Sequence, residues 1–226
     1  NPGRPPPPPP PPPPADTATT LAPRLDWLRD YPLSSCQFAG PLTVADNAMS
    51  IEAIGTSAAP FQKLASDFER EIGFEPDVQV RQITQPQCPA ADFLRAVQGR
   101  TEPGPKLTLA NDDLPSGAPL EGTLEGTAGW QTELLLIDYR GGVQSLTAYL
   151  VPTGDGGTLS LPLSSNSTEP VPMMIMVVAS RDGLSSTKLQ RLHVAAQTFP
   201  IIQREIESLD QRVAVSVHYF KLEPAR

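Results

Sequence analysis

An unbroken run of prolines from Pro5 to Pro14 restricts the N-terminal part of this chain more than any other feature of the sequence. Proline fixes φ and lacks a backbone N–H, so the run excludes helix and sheet and adopts polyproline II, which extends roughly 30 Å at about 3.1 Å per residue. SH3-like grooves bind PxxP sequences, but the run has no flanking specificity residue except Arg4, which favours a stiff spacer. We therefore predict a proline-rich disordered tether over residues 1–23.

The segment from residue 24 to residue 100 has the pattern of a small α+β domain. Residues 49–54 alternate like a strand, and the helix that follows ends at Gly73, a residue suited to the left-handed cap position. A further strand precedes a second helix that opens at Cys88 and stops at Gly99. The predicted order is strand, strand, helix, strand, helix. Apolar residues at helical spacing support the first helix: Phe61, Leu64, Ala65, Phe68 and Ile72.

Beyond a boundary rich in proline and glycine at residues 101–105, the pattern becomes β-rich. Short alternating strands separated by glycine-containing turns are typical of a β-sandwich. The apolar run at residues 173–179 is too short to span a bilayer and predicts a buried central strand. We therefore predict a β-sandwich-like domain over residues 104–226.

A helical insertion is expected within this second domain, at residues 187–209. Pro200 interrupts its helical composition, so we predict a short helical segment near residues 189–196 and then a helix from Phe199 with Pro200 in its first turn. The fold class that the sequence predicts is therefore α+β, with a small mixed domain followed by a sandwich that carries a helical insertion.

The net charge of −8 argues against nucleic acid as a partner. Binding to phosphates requires clustered Lys and Arg, and the sequence contains no basic stripe. An anionic membrane surface is disfavoured for the same reason. Since no run of about 18 apolar residues occurs, we also expect no direct membrane insertion by this chain.

Two cysteines, Cys36 and Cys88, allow two interpretations. They are either buried free thiols or one disulfide, and the disulfide would place the chain in an oxidising compartment. Neither cysteine has a CxxC partner or a companion histidine, so neither metal binding nor thiol catalysis is expected.

No set of residues has the pattern of a catalytic centre. The two histidines, His193 and His218, lack a recognisable nucleophile and orienting carboxylate, and no GxSxG elbow occurs. Carboxylates at residues 111–113 and 121–125 fit solvated turns and strand surfaces better than a glycosidase pair. We therefore predict no catalytic residue, no cofactor and no metal site.

Four aromatic residues of the β-rich part are candidates for binding. Exposed rings stack on sugars or on peptide, although a place in the core is the alternative for each of them. Sheet edges of this composition also suit β-augmentation by an extended partner. The candidate rings are Trp130, Tyr139, Tyr149 and Tyr219.

Three stretches of the sequence form a recognisable set together with Cys36: QCPAADFL at residues 87–94, ELLLI at residues 133–137 and YFKLE at residues 219–223. They resemble the C-terminal region of alphaproteobacterial membrane-bound serine/threonine protein kinases. A similar region occurs on caspase-like proteins of the same bacteria. The resemblance extends over residues 33–223, and it implies that a kinase domain and a membrane helix lie upstream and that both cysteines belong to the family pattern.

The function expected from the sequence is that of a non-catalytic, extracytoplasmic sensor or binding region of a membrane-bound kinase-like protein. The partner would be a protein or a cell-envelope ligand, and the location would be periplasmic, with tethering to the inner membrane through an upstream segment. The alternatives are a cell-wall or glycan-binding module, which predicts aromatic rings aligned on one sheet face, and a hydrolase, which requires converging carboxylates or a His–Ser pair.

Overall fold

The computed structural model describes residues 17–189 and 193–225, so the proline run lies outside the described residues. Helices and strands both occur, and the predicted α+β class is confirmed. The helices are α1 (Thr17–Asp30), α2 (Ala59–Ile72), α3 (Cys88–Val97) and α4 (Ala195–Ser208). The strands are β1 (Gln37–Ala45), β2 (Ala48–Gly55), β3 (Asp77–Gln82), β4 (Lys106–Leu109), β5 (Asp113–Leu114), β6 (Pro119–Glu125), β7 (Gln131–Ile137), β8 (Gly142–Ser145), β9 (Leu150–Pro152), β10 (Gly156–Pro162), β11 (Val171–Ser180), β12 (His193–Val194) and β13 (Val213–Leu222).

The first part of the chain forms a three-stranded sheet in the order β1-β2-β3. β1 and β2 are antiparallel, whereas β2 and β3 are parallel and are joined through α2. α2 ends as predicted at Gly73, which has a φ of 94°. The predicted order of strand, strand, helix, strand and helix is observed. One sheet face packs on α1 and α2 through a cluster of buried side chains: Leu28, Ala39, Met49, Ile51, Leu64 and Phe68.

Helix α1 begins at Thr17, so regular structure starts before the expected end of the tether at residue 23. Its C-terminal half is fixed by tertiary contacts. Leu28 is buried in the sheet core, Trp27 packs against that core, and the Tyr31 hydroxyl donates a hydrogen bond of 2.8 Å to Asp67 on α2. The predicted tether extends too far because local propensity underestimates such packing, and the helix even contains Pro23.

The second part of the chain forms a sandwich of two sheets. One is four-stranded, in the order β4-β6-β10-β9, and the other is six-stranded, in the order β12-β8-β7-β11-β13-β5. β11 lies between β7 and β13 in the larger sheet, and almost all of its residues are buried, as the apolar run predicts. Alternate residues fill the layer between the sheets: Leu134, Leu136, Ile175 and Val177 from the larger sheet, with Leu107, Leu120, Leu124 and Leu159 from the smaller one.

The other face of the six-stranded sheet is covered by two helices, α3 and α4. Phe93 of α3 and Phe199 of α4 lie in contact, with ring centroids 5.3 Å apart, over the sheet residues Leu135 and Met176. α3 precedes the predicted boundary at residues 101–105, yet it shares one hydrophobic cluster with the sheet that follows that boundary. The division into two domains stays a prediction.

The helical insertion differs in detail from its prediction. α4 begins at Ala195, so Pro200 lies inside the helix and not in its first turn, and His193–Val194 forms the short strand β12 where helix was expected. Residues 190–192 lie outside the described part. Pro200 removes one N–H from the helix, and its own side chain is exposed. The helix is anchored by its buried residues, which are Ala195, Thr198, Phe199, Ile202 and Ile206.

A disulfide joins Cys36, just before β1, to Cys88 at the start of α3, with Cα atoms 4.5 Å apart. The Asp92 carboxylate reinforces this junction, since it accepts hydrogen bonds from the Cys36 N–H (2.8 Å) and from the Ser35 hydroxyl (3.1 Å). Cys36 has a φ of 62°, in the left-handed region that non-glycine residues seldom adopt. The bridge and the carboxylate together fix α3 to the β1 end of the first sheet.

Replacing both cysteines by Ala should lower the free energy of unfolding by roughly 4 kcal/mol, because the 52-residue separation closes a long loop in the unfolded chain. Urea unfolding monitored by circular dichroism measures the loss. A change below about 1 kcal/mol would contradict this account, and the wild type under reducing conditions should behave like the double variant.

Candidate functional site

A groove of about 430 Å³ lies between the three-stranded sheet and the outer edge of β13. We call it the β13 groove. One wall is formed by β1 and β2, the opposite wall by residues 214–218 of β13, and the ends by α3 and by the segment 101–106. The side chains that the following argument uses are Phe38, Leu42, Glu52, Leu94, Lys106, Val215, Ser216, Val217 and His218.

The segment 101–106, which we call the strap, begins beside β13 and then leaves it. Thr101 forms a parallel bridge with Val213, and the Glu102 N–H donates to the Val213 carbonyl at 2.9 Å. Pro103 and Pro105 follow, and among the described residues no backbone hydrogen bond beyond that of Glu102 joins the strap to β13. The chain then enters β4, which pairs with β6 in the other sheet. The strap therefore does not continue along β13.

Gly104 makes the departure of the strap sterically possible. A Cβ at this position would lie 2.3 Å from the Cβ of Ala214 and 3.0 Å from the ring of Trp130. Both distances are shorter than normal van der Waals contact. Only glycine allows the strap to pass this closely over the end of β13.

The backbone of β13 presents unpaired groups to the groove. The Val213 carbonyl accepts a hydrogen bond from the Glu102 N–H, and the Lys221 N–H donates one to the Asp112 carbonyl. Both groups therefore point away from β11. Peptide groups alternate between the two edges of a strand, so residues 215, 217 and 219 also point their N–H and C=O groups outward. β5 pairs only with residues 221 and 222, and no other described strand is hydrogen-bonded to this edge, although β4 lies close to β13. An open edge thus remains between the Val213 bridge and β5.

The groove is apolar on one face of β13 and polar on the other. Val215, Val217 and Tyr219 pack towards the cluster that contains α3 and α4. Ser216 and His218 alternate with them and therefore point to the other face, where Phe220 and Leu222 enter the layer between the sheets. An extended ligand at this edge would meet apolar groups on one face and polar groups on the other.

Polar groups gather beside the groove around Glu52 and Arg81. The Arg81 guanidinium lies 3.6 Å from the Glu52 carboxylate and 5.7 Å from the centre of the Tyr219 ring. Burial raises the pKa of Glu52, and the Coulomb attraction of Arg81 opposes that rise only in part. The Glu52 carboxylate and the Arg81 guanidinium therefore largely cancel each other's charge at this wall of the groove.

His218 is the unusual group of the groove. Burial lowers its pKa, while Asp112 acts to raise it and Lys106 to lower it further, so the imidazole is neutral at pH 7. Its Nε2 atom is buried and has no hydrogen-bond partner among the described residues, and the same holds for the Ser216 hydroxyl. Two unsatisfied polar atoms on neighbouring positions of one strand face are uncommon in a folded protein.

The structure separates the residues that were considered as catalytic candidates. His193 lies on β12 and His218 on β13, with β8, β7 and β11 between them. Within residues 17–189 and 193–225, neither imidazole forms a hydrogen bond to a hydroxyl, and no group of three or more His, Cys, Asp or Glu residues is placed to hold a metal. Glu121 and Glu125 are exposed on β6, and Asp112 lies in the loop before β5.

The four candidate aromatic residues are not brought together. Tyr139 packs against the layer between the two sheets, whereas Tyr219 packs on the opposite face of the larger sheet. Trp130 is half-buried with the Arg181 guanidinium 3.8 Å from its ring centre, and Tyr149 is 49% exposed in the short helical turn at Thr147–Tyr149. Two of the four lie close to the β13 groove without lining it: Tyr219, beside Arg81, and Trp130, whose ring lies against Gly104 of the strap.

The sequence analysis did not find the β13 groove. It assigned Thr101–Pro105 to a boundary, and nothing in the local pattern shows that this segment pairs with β13 at Thr101. Glu52 and Arg81 gave no signal, because the contact between them depends on the parallel register of β2 and β3.

Comparison with known protein families, with curated proteins and with solved structures gives no match to this chain. The resemblance to the C-terminal region of bacterial membrane kinases therefore stays a prediction. Among the described residues, no helix is both long enough and apolar enough to cross a bilayer. The interpretation of the site rests on its own geometry.

We predict that His218 makes stability fall in mild acid. The unfolded chain binds a proton near the ordinary histidine pKa of 6.5, whereas the folded chain binds it at lower pH, so stability is lost as the pH falls below that value. The free energy of unfolding, measured with urea, should fall between about pH 7.5 and about pH 5.5. The fall in wild type should exceed the fall in His218→Gln by up to about 1 kcal/mol. His193→Gln serves as the control, and its free energy of unfolding should still show the fall that His218 causes. Equal falls in wild type and His218→Gln would contradict the prediction.

Proposed function

We propose that this chain is a non-catalytic binding region that captures an extended peptide segment at the outer edge of β13. The observation that carries the proposal is the open outer edge of β13 at residues 215 and 217, which line the β13 groove, and at residue 219 just beyond it. This edge lies between two places, at Val213 and at residues 221–222, where the chain itself already pairs with β13. A peptide that enters the groove would continue this pairing. Such β-augmentation derives affinity from main-chain hydrogen bonds and specificity from alternate side chains.

The size of the groove supports a short ligand. From Val215 to Tyr219 the strand extends about 13 Å, so a segment of about five residues covers the open edge. Each main-chain hydrogen bond contributes about 0.5–1.5 kcal/mol net, and apolar contacts with Phe38, Leu94 and Val217 would add to these. These contributions together suit a reversible interaction of a sensor or scaffold.

The disulfide supports a location in an oxidising compartment, since such bonds persist in secreted and periplasmic proteins and are rare in the cytosol. With the kinase-like resemblance, we propose a periplasmic region of a membrane-bound serine/threonine kinase-like protein that is held away from the inner membrane by its proline-rich segment. The coding sequence upstream of Asn1 tests this part of the proposal. A kinase domain followed by a membrane helix is expected there, and a secretion signal directly before Asn1 would contradict it.

Val217→Pro should abolish peptide capture while the fold is retained. The N–H of Val217 points outward, so proline removes a group that the ligand needs and leaves the hydrogen bonds between β13 and β11 intact. Peptides selected from a random displayed library on the wild-type chain should bind this variant at least about tenfold more weakly, as isothermal calorimetry would measure.

Val217→Thr is the matched control, because it has nearly the same shape as valine and keeps the N–H. Its hydroxyl weakens one apolar contact, but it should still bind the selected peptides at least about fivefold more tightly than Val217→Pro. Thermal unfolding confirms that both variants are folded. If the selected peptides bind Val217→Pro as tightly as Val217→Thr, the ligand does not pair with β13 and the proposal fails.

A further inference from the structure

We propose that Ser216 and His218 make the β13 groove selective for peptides that carry neutral hydrogen-bonding side chains, hydroxyl or carboxamide, at alternate positions. This inference rests on the proposed peptide capture and adds the chemistry of the ligand. It starts from the two unsatisfied polar atoms of the groove, the Ser216 hydroxyl and His218 Nε2.

The placement of the two residues defines what they can contact. Ser216 and His218 are two positions apart on β13, so their side chains stand on the same face, and both line the groove. In an added strand, residues opposite them would point to that face as well, at a cross-strand distance that allows side-chain contact. Rotation of Ser216 about χ1 and of the His218 ring about χ2 turns their polar atoms towards such a neighbour, a rotamer change common at interfaces.

The charges around the groove favour a neutral side chain. Glu52 is paired with Arg81, and Glu102 with Arg181 at 3.5 Å. The other charged neighbours of His218, Asp112 and Lys106, act on its pKa in opposite directions. Among the described lining residues, Lys106 alone carries a charge outside an ion pair, and its exposed ammonium group is solvated by water. A carboxylate or an ammonium group placed beside Ser216 and His218 would therefore lose more hydration than it regains.

A hydroxyl or carboxamide fits the two groups because it both donates and accepts hydrogen bonds. Ser216 has a donor and acceptors, and neutral His218 offers one of each on its two ring nitrogens. Satisfying two buried, unpaired atoms removes a cost that the unliganded chain bears. On the opposite face, Val215, Val217 and Leu94 require apolar ligand residues, so the preferred ligand alternates apolar and neutral polar residues.

Synthetic peptides of about seven residues test this selectivity. The host sequence has valine at the positions that face Val215 and Val217, soluble Gly-Ser ends, and one guest residue at both positions that face Ser216 and His218. Threonine and valine are the main guests because they have nearly the same shape, and glutamate and lysine test charge. The wild-type chain should bind the threonine peptide about tenfold more tightly than the valine peptide, and more tightly than either charged peptide.

The variant Ser216→Ala/His218→Phe should reduce the preference for threonine over valine to less than about twofold. Ser216→Ala alone removes a single atom and should reduce the preference for threonine in part. This single variant keeps the test valid if the double variant does not fold. The control is Ser160→Ala, an exposed position on β10 in the other sheet, where the full preference should persist.

The outcomes separate this inference from the proposed function. Equal binding of the threonine and valine peptides, with amide exchange protection at residues 215, 217 and 219, would overturn the selectivity and leave peptide capture intact. Tighter binding of the glutamate or lysine peptide would also overturn it. If no peptide of the series binds and the selected library peptides do not distinguish Val217→Pro from Val217→Thr, both proposals fail.

Discussion

The packing of α3 is the constraint on which the rest of the structure depends. Its N-terminus is covalently joined to the loop before β1, and its apolar face is buried against α4 and the six-stranded sheet. One helix therefore fixes the distance between two sheets that have no strand pairing with each other. The β13 groove is the space that this distance leaves, and α3 itself closes one end of it through Leu94 and Gln98.

The strap closes one end of the groove because the chain changes from the six-stranded sheet to the four-stranded sheet at this point. The chain pairs with β13 at Thr101, crosses to the smaller sheet as β4, and returns to β13 as β5. Without the excursion, the same residues would lie along β13 and fill its edge. The carboxylate of Asp112, just before β5, acts to raise the pKa of both Glu52 on β2 and His218 on β13, although the three residues are far apart in the sequence.

Periodicity predicted much of the fold and little of the site. The α+β class, the helix stripe from Phe61 to Ile72 and the buried strand β11 follow from local patterns, because each element buries one face of its own sequence. The start of α1 and the interior position of Pro200 do not follow, since long-range packing overrides propensity at both places. The groove could not be predicted, because it depends on bringing β1 beside β13, and a lone histidine in a strand pattern gives no indication of its neighbours.

The departure of the strap from β13 has a consequence for the open edge. Because the strap leaves β13 after Glu102, no hydrogen bond within the described part of the chain has to break before a segment pairs with residues 215–219. The same vacancy is a hazard, because edges of this kind pair with one another between molecules. Self-association of two copies through β13 would use up the very backbone groups that a ligand needs, so crowding of the chain at high local density would weaken its capacity to bind.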